Sequence, residues 1–325
     1  MLVGVTELPV IDVSGPPATF AVDIDRACRD DGFFYVVGHG VDEGLIGSLR
    51  ELAAEFFALP QSEKARISMS LGGRAWRGWF PVGGELTSGR PDLKEGVYLG
   101  SELEAGDARP LHGPNVWPER PAELRAIVLE YLDRVTAVGQ HVLEGMGLGL
   151  GLEPGWFQAR LTMDPLILFR LFHYPPAEVD EMAPWGVGEH TDYGLLTLLL
   201  QDDAGGLEVR SRHGWTDAPP IPGSFVCNIG DMLDRMTGGR YRSTPHRAVN
   251  RSGRDRYSFP LFLDPGWDAS VAPIALGGPA PPDDATSRWD GASVHDLEGT
   301  YGEYLLGKVS KVFPELFTEV VRDDR

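Results

Sequence analysis

Apolar residues change their spacing near residue 164. Before that point they recur three or four apart: Leu45, Leu49, Leu52, Ala53 and Phe56 form one such row, which predicts a helix with a single buried face. Leu59-Pro60 ends it, because proline cannot continue a helix, and residues 61–64 predict another short one. The clearest helical row is Leu124, Ile127, Val128, Tyr131, Val135, Val138, Val142 and Met146, which predicts a helix from Pro118 to about Leu150. Gly145, Gly147, Gly149 and Gly151 are expected to weaken its end, and Glu153-Pro154-Gly155 to start a new turn. Two short strands, residues 8–13 and 33–37, flank a polar helical stretch around Ile24 and Cys28. Residues 72–85, rich in glycine and tryptophan, read as an ordered loop, and residues 94–99 as a strand after it.

From Asp164 onward the pattern becomes short apolar runs separated by turn residues: 166–174, 195–200, 207–210, 224–229 and 256–263. Many short strands at this spacing predict a sandwich or barrel. A late helix near residues 301–312 follows a loop rich in proline and aspartate around 277–284. No internal repeat and no long low-complexity linker interrupts the chain. The fold class expected is therefore mixed α/β and β-rich, one domain over 1–325. It comprises a helical and strand amino-terminal region (1–163), a catalytic β core (164–275) and a carboxy-terminal loop and helix (276–325).

Charge narrows the partners. Asp and Glu number 48 against 29 Lys and Arg, a formal charge of −19, which opposes binding to phosphate backbones or anionic membrane. Cys28 and Cys227 are the two cysteines and form no CxxC pair, so neither a disulfide framework nor a cysteine zinc cluster is expected. The amino terminus has no basic segment before an apolar run, and apolar runs fall far short of the roughly 20 residues of a membrane helix. These features predict a cytoplasmic protein with no nucleic-acid or membrane partner.

The candidate chemistry centres on Gly188-Glu189-His190-Thr191-Asp192, just before the apolar run 195–200. His190 and Asp192 stand two apart in an extended-looking stretch, so strand alternation predicts that both side chains share a face. An ionised Asp192 beside so apolar a strand is costly unless a cation or hydrogen bonds compensate. His246 follows Pro245, which cannot donate to a sheet, so it is expected at a strand's start or rim, where it can complete a three-ligand metal site. Two imidazoles and a carboxylate on one face leave positions open on Fe(II) for a bidentate co-substrate and oxygen. With zinc the same set would activate water, so the triad alone leaves oxidation and hydrolysis both open. Arg256 and Ser258, again two apart on an expected strand, present a guanidinium and a hydroxyl to one side, suited to a carboxylate. Ten residues separate His246 from Arg256, enough for one hairpin to return the chain to the metal.

In this order and spacing His190-Thr191-Asp192, His246 and Arg256-Tyr257-Ser258 resemble the HxD, distal H and RxS motifs of the isopenicillin N synthase-like 2-oxoglutarate- and Fe(II)-dependent dioxygenases. Phe172-His173-Tyr174-Pro175-Pro176, Asn228-Ile229-Gly230-Asp231 and residues 8–40 extend the likeness over nearly the whole chain. The resemblance implies a double-stranded β-helix (jelly roll) core buttressed by helices, with the active site in the barrel mouth. It implies His190, Asp192 and His246 as iron ligands, Arg256 and Ser258 as the clamp for the distal carboxylate of 2-oxoglutarate, and Tyr174 as a contact to the co-substrate's other end. Phe172 departs from the asparagine of many relatives and removes a polar contact to the 1-carboxylate and keto group. The implied reaction consumes O2 and 2-oxoglutarate, releases succinate and CO2, and oxidises a small molecule by hydroxylation, desaturation or ring closure.

Arg74, Trp76, Arg77, Trp79 and Phe80 are candidates for a lid over the substrate, and Arg170 and Phe262 for residues facing the iron. Lys94 and Glu95 read as a supporting ion pair. Three readings compete with a 2-oxoglutarate oxygenase: a zinc or manganese hydrolase or isomerase on the same barrel, a family oxidase that uses no 2-oxoglutarate, and a binding protein that keeps the ligands as remnants.

Overall fold

A computed structural model describes residues 8–87, 89–107, 109–176, 185–212, 214–277, 281, 293–296 and 298–312. The strand, helix, strand opening is present as β1 (Val10–Asp12), α1 (Ala21–Asp30) and β2 (Phe33–Val37), with β1 and β2 parallel. Helix α2 (Glu43–Phe57) starts where the Asp42 carboxylate accepts from the backbone of Leu45 and ends ahead of Pro60; α3 (Gln61–Lys64) follows. The stretch read as a loop is more regular than expected. A 3-10 segment, Met69–Ala75, breaks at Gly73 (φ 50°) and leads into strand β3 (Gly78–Phe80), which pairs with β6 (Glu95–Gly100). Gly72 lets the chain fold back on itself, since a Cβ there would meet the Arg77 carbonyl oxygen at 2.2 Å. Strands β4 (Leu86–Thr87) and β5 (Arg90–Pro91) form a separate hairpin.

Helix α4 (Leu124–Gly149) begins with the first residue of its apolar row, later than the predicted start at Pro118, and is not weakened at its glycines. Packing explains the latter. A Cβ at Gly145 would stand 2.4 Å from the Phe20 ring, and one at Gly149 would stand 2.8 Å from the Ala21 carbonyl oxygen, so these positions let α1 and its lead-in press against the helix. Gly145→Ala tests this balance. Alanine gains about 1 kcal/mol of helix propensity, but overpacking costs about 1–3 kcal/mol, so a lower urea midpoint is expected. An unchanged or higher midpoint would show that Phe20 moves aside freely.

After α5 (Trp156–Arg160) come the remaining strands: β7 (Leu166–Tyr174), β8 (Val187–His190), β9 (Leu196–Gln201), β10 (Leu207–Ser211), β11 (Gly214–Asp217), β12 (Phe225–Ile229), β13 (His246–Ala248) and β14 (Arg256–Asp264). Helix α6 (Asp231–Thr237) follows β12, and α7 (Tyr301–Val312) closes the described chain as expected. The proline-rich loop around 277–284 falls almost wholly outside the described residues.

One sheet runs β1-β2-β12-β9-β14-β7-β6-β3 and a smaller one β11-β10-β13-β8. The two sheets make the jelly-roll core. Strand β7 is buried along its full length, which is why its sequence is nearly continuous apolar rather than alternating. On the large sheet's outer face, Leu198 and Leu263 pack under Gly139 of α4. On the inner face, Leu168, Arg170, Phe172 and Tyr174 of β7 and Arg256, Ser258, Pro260, Phe262 and Asp264 of β14 line a cavity of about 190 Å³.

Candidate active site

His190 ends β8 and His246 begins β13, and the two are directly paired across the small sheet. Each ring is oriented by a backbone carbonyl at Nδ1: Gly188 at 2.8 Å for His190 and Thr244 at 3.2 Å for His246. Donation from Nδ1 leaves the Nε2 lone pairs free and turned toward one point. Both Nε2 atoms lie 3.8 Å from Oδ1 of Asp192, and the ring centroids are 4.3 Å apart. The three ligand atoms fall within 4.8 Å of one another, and the 3.8 Å separations from Oδ1 are ones that a single ion with bonds of about 2.0–2.2 Å bridges.

Asp192 is not on the strand, contrary to the alternation argument. Strand β8 stops at His190, and the carboxylate is turned inward from the following loop by hydrogen bonds to Oδ2 from Thr197 Oγ1 (2.5 Å) and Asn228 Nδ2 (2.6 Å). Oδ2 is thereby occupied and Oδ1 is left for a metal. The backbone of Asp231 also donates to the Asp192 carbonyl at 2.7 Å, tying this loop to the start of α6. Burial opposes ionisation of Asp192, but His246, His190 and the two donors outweigh it and hold the carboxyl below its ordinary value. Burial, then the neighbouring His190, lowers His246 to about 4, so its imidazole is neutral at pH 7 and able to ligate. Thr197 and Asn228 were missed as functional residues. A lone threonine inside Leu195-Leu196-Thr197-Leu198-Leu199-Leu200 was the available signal.

Arg256 and Ser258 do share the inner face of β14. Arg256 is 1% exposed, its Nε donates to the Gly205 carbonyl at 2.6 Å, its guanidinium lies 4.4 Å from the Tyr174 ring centroid, and its Nη1 has no hydrogen-bond partner. Strand β14 reaches this place without the expected hairpin. Strand β13 pairs with β8 and β10, whereas β14 pairs with β7 and β9, so the chain crosses from one sheet to the other. Tyr174 stands beside Arg256 and Ser258. It is the cross-strand partner of Arg256, and its hydroxyl is 3.3 Å from Ser258 Oγ.

Of the substrate candidates, Trp76, Arg77, Arg170 and Phe262 line the cavity. Trp79 is instead buried as a donor to Glu95 (2.8 Å), and Phe80 packs edge-on against Tyr98 and Phe172; Arg74 does not line the cavity. Lys94 and Glu95 are not paired with each other. Glu95 binds Lys64 (2.7 Å) and His173 (2.8 Å), while Lys94 lies in the cavity wall between Glu85 (2.7 Å) and Asp92, with its ammonium 4.8 Å from the Phe172 ring centroid. Lys94→Met would strand two buried carboxylates, a loss of about 3–5 kcal/mol for breaking a buried pair. Guanidinium unfolding checks this, and a loss below about 1 kcal/mol would mean that the carboxylates are solvated or protonated.

The jelly roll, the His-Asp-His triad and the buried Arg256 on the same cavity are the features of a non-haem iron oxygenase of the 2-oxoglutarate type. Residues 8–120 match the family described as non-haem dioxygenase in morphine synthesis N-terminal, and residues 166–265 match the 2OG-Fe(II) oxygenase superfamily. A Dictyostelium discoideum protein named probable iron/ascorbate oxidoreductase is 46% identical over 98% of each chain. A homoarginine-6-hydroxylase of Arabidopsis thaliana is 39% identical over 94% of this chain and 97% of that one. The crystal structure of a full-length Neurospora crassa protein in complex with alpha-KG and thymine superposes with a TM-score of 0.79 at 27% identity, over 95% of this chain and 98% of that one. The chain belongs to the 2-oxoglutarate-Fe(II) oxygenase family and is an oxidoreductase with Fe(II) and 2-oxoglutarate as cofactors. Among the described residues no helix is long and apolar enough to cross a membrane.

Proposed function

We propose that the chain hydroxylates a small molecule, with His190, Asp192 and His246 holding Fe(II) and Arg256, Ser258 and Tyr174 holding the distal carboxylate of 2-oxoglutarate. The observation that carries this reading is the buried Nη1 of Arg256, a charged donor without a partner on the wall of the cavity that the triad also lines. A buried charged donor left unpaired is costly, and a carboxylate removes that cost by a charge-assisted bond. The triad fits the metal because two imidazoles and one carboxylate are the donor set that non-haem Fe(II) sites use.

When bound, the iron and 2-oxoglutarate supply oxidising power from O2 with release of succinate and CO2. The protein's own residues orient the parts. Gly188 and Thr244 carbonyls fix the imidazole tautomers, Thr197 and Asn228 fix the carboxylate, and Tyr174 supports the Arg256 guanidinium from its ring face. Apolar wall residues such as Leu199, Leu207 and Phe262 keep water from the reacting centre. The buried free thiols of Cys28 and Cys227 suit a reducing cytoplasm.

Homoarginine, the compound in the Arabidopsis relative's name, is the first candidate substrate to assay. The reading is tested by succinate release with Fe(II) and 2-oxoglutarate in air and under argon. Release that needs iron and oxygen supports it. Oxygen consumption with ascorbate and no succinate would instead give Arg256 to a carboxylate of the substrate itself.

A further inference from the structure

The cavity carries a second unsatisfied guanidinium. Arg77 is 1% exposed; its Nη2 donates to the Leu111 carbonyl at 3.1 Å, while Nε and Nη1 have no partner. Space for it is made by Gly100, where a Cβ would stand 2.4 Å from Nη2 and 2.8 Å from Cζ. Any larger residue there would displace the guanidinium. Beside it is Arg170, whose Nη1 bonds the carbonyls of Phe169 (3.1 Å) and Leu99 (3.4 Å) and whose guanidinium lies 3.4 Å from the Tyr98 ring centroid. The two cations repel: burial first, then the charge of Arg170, pulls Arg77 down to about 9, with Glu102 opposing.

Register places this pair away from the clamp. Arg256 faces Tyr174 across β14 and β7, whereas Arg170 is four residues back along β7, about 13 Å at 3.3 Å per residue. Gly100, which touches Arg77, pairs with Leu168, two residues further. Thr197, which holds Asp192, pairs with Phe262, the partner of Leu168. Along the inner wall the clamp comes first, with Ser258 facing Phe172; Arg170 is one step further, level with Pro260; and the level of Thr197 and the triad follows, where Gly100 holds Arg77. Carboxylates are present there too: Asp264 accepts from the Tyr301 hydroxyl (2.6 Å), and Glu102 is engaged by Asn115 and Trp117. Neither accepts a hydrogen bond from Nε or Nη1 of Arg77.

We propose that Arg77, with Arg170 beside it, anchors a carboxylate of the prime substrate near the level of the triad, at a distance from the 2-oxoglutarate clamp, so that the substrate class is a small carboxylic acid. This rests on the oxygenase reading above and deepens it. One anchor for each carboxylate prevents exchange of the two ligands: a bidentate guanidinium site recognises a planar oxyanion at either place, and length along the wall then decides which acid sits where. A neutral substrate would leave Arg77 with buried, unpaired charge.

Calorimetric titration of the Mn(II)- and 2-oxoglutarate-loaded protein with pentanoate and with pentanamide tests the assignment, because saturating 2-oxoglutarate blocks the Arg256 site. Pentanoate is expected to bind at least about tenfold tighter than its neutral amide, the factor that a charged hydrogen bond supplies. Arg77→Met should erase that preference, and Arg77→Lys should keep part of it, while both variants bind Mn(II) and 2-oxoglutarate as the wild type does. An equal affinity for acid and amide in the wild type, or an undiminished preference in Arg77→Met, overturns the anchor. Failure of the wild type to bind 2-oxoglutarate would overturn the oxygenase reading instead, whatever Arg77 does.

Discussion

Asp192→Asn should abolish succinate formation and weaken Fe(II) binding by more than about 100-fold, because even disturbing an outer partner of a metal ligand costs about 10–100-fold. Asparagine keeps the size of the side chain but removes the one anionic donor of the triad, and its amide would present an N–H where Oδ1 or Oδ2 now accepts. The Oδ2 position is served by two donors, Thr197 and Asn228, so the amide must place its oxygen there and its nitrogen toward the metal. An N–H directed at an ion is a poor ligand, and the loss is thus larger than the loss of charge alone. Thr197→Val is the finer probe. It leaves all three ligands in place and frees one side of the carboxylate, so metal affinity should fall within the about 10–100-fold range of such partners. Anaerobic Fe(II) titration followed by absorption, or Mn(II) binding followed by electron paramagnetic resonance, reads both effects. Wild-type affinity in Asp192→Asn would remove the aspartate from the metal site.

Much of this centre is legible in the chain because its parts are local. Arg256 and Ser258 can be placed together from spacing alone, since alternation along one strand is a rigid rule, and the structure keeps them on the inner face of β14. The same rule misled at His190 and Asp192, where the strand ends after the first ligand and tertiary donors, not alternation, aim the second. Glycines gave the opposite lesson. Gly145 and Gly149 read as helix weakeners by propensity, yet α4 runs through them because a tight approach of Phe20 and Ala21 needs the missing Cβ. The crossing of the chain between sheets from His246 to Arg256 was likewise invisible: ten residues fit a hairpin or a crossover equally well, and long-range pairing decides between them. That Tyr174 stands across from Arg256 was likewise not legible, because a motif gives order in sequence and not cross-strand pairing.

Arg256→Met should raise the KM for 2-oxoglutarate by a factor of about 30 to several thousand, since removing one member of a buried charged pair costs about 2–5 kcal/mol at about 1.4 kcal/mol per decade. Methionine keeps much of the aliphatic length against Tyr174 and loses the fork, so the fold should survive. Without a bound carboxylate the variant loses a buried, half-satisfied cation and should unfold at equal or higher denaturant than wild type. That combination separates a ligand clamp from a structural arginine. A structural arginine would lower stability when replaced, through the lost bond to Gly205. Arg256→Lys retains charge but not the two-pronged geometry, and should recover only part of the affinity. Fe(II) binding without co-substrate should be the same in all three proteins, because Arg256 is not among the three metal-facing side chains. Direct binding of 2-oxoglutarate, measured anaerobically in each variant, decides the matter: unchanged affinity in Arg256→Met would transfer the distal carboxylate to another cation on the wall, and Lys94, held between Glu85 and Asp92 near Phe172, is placed to receive it.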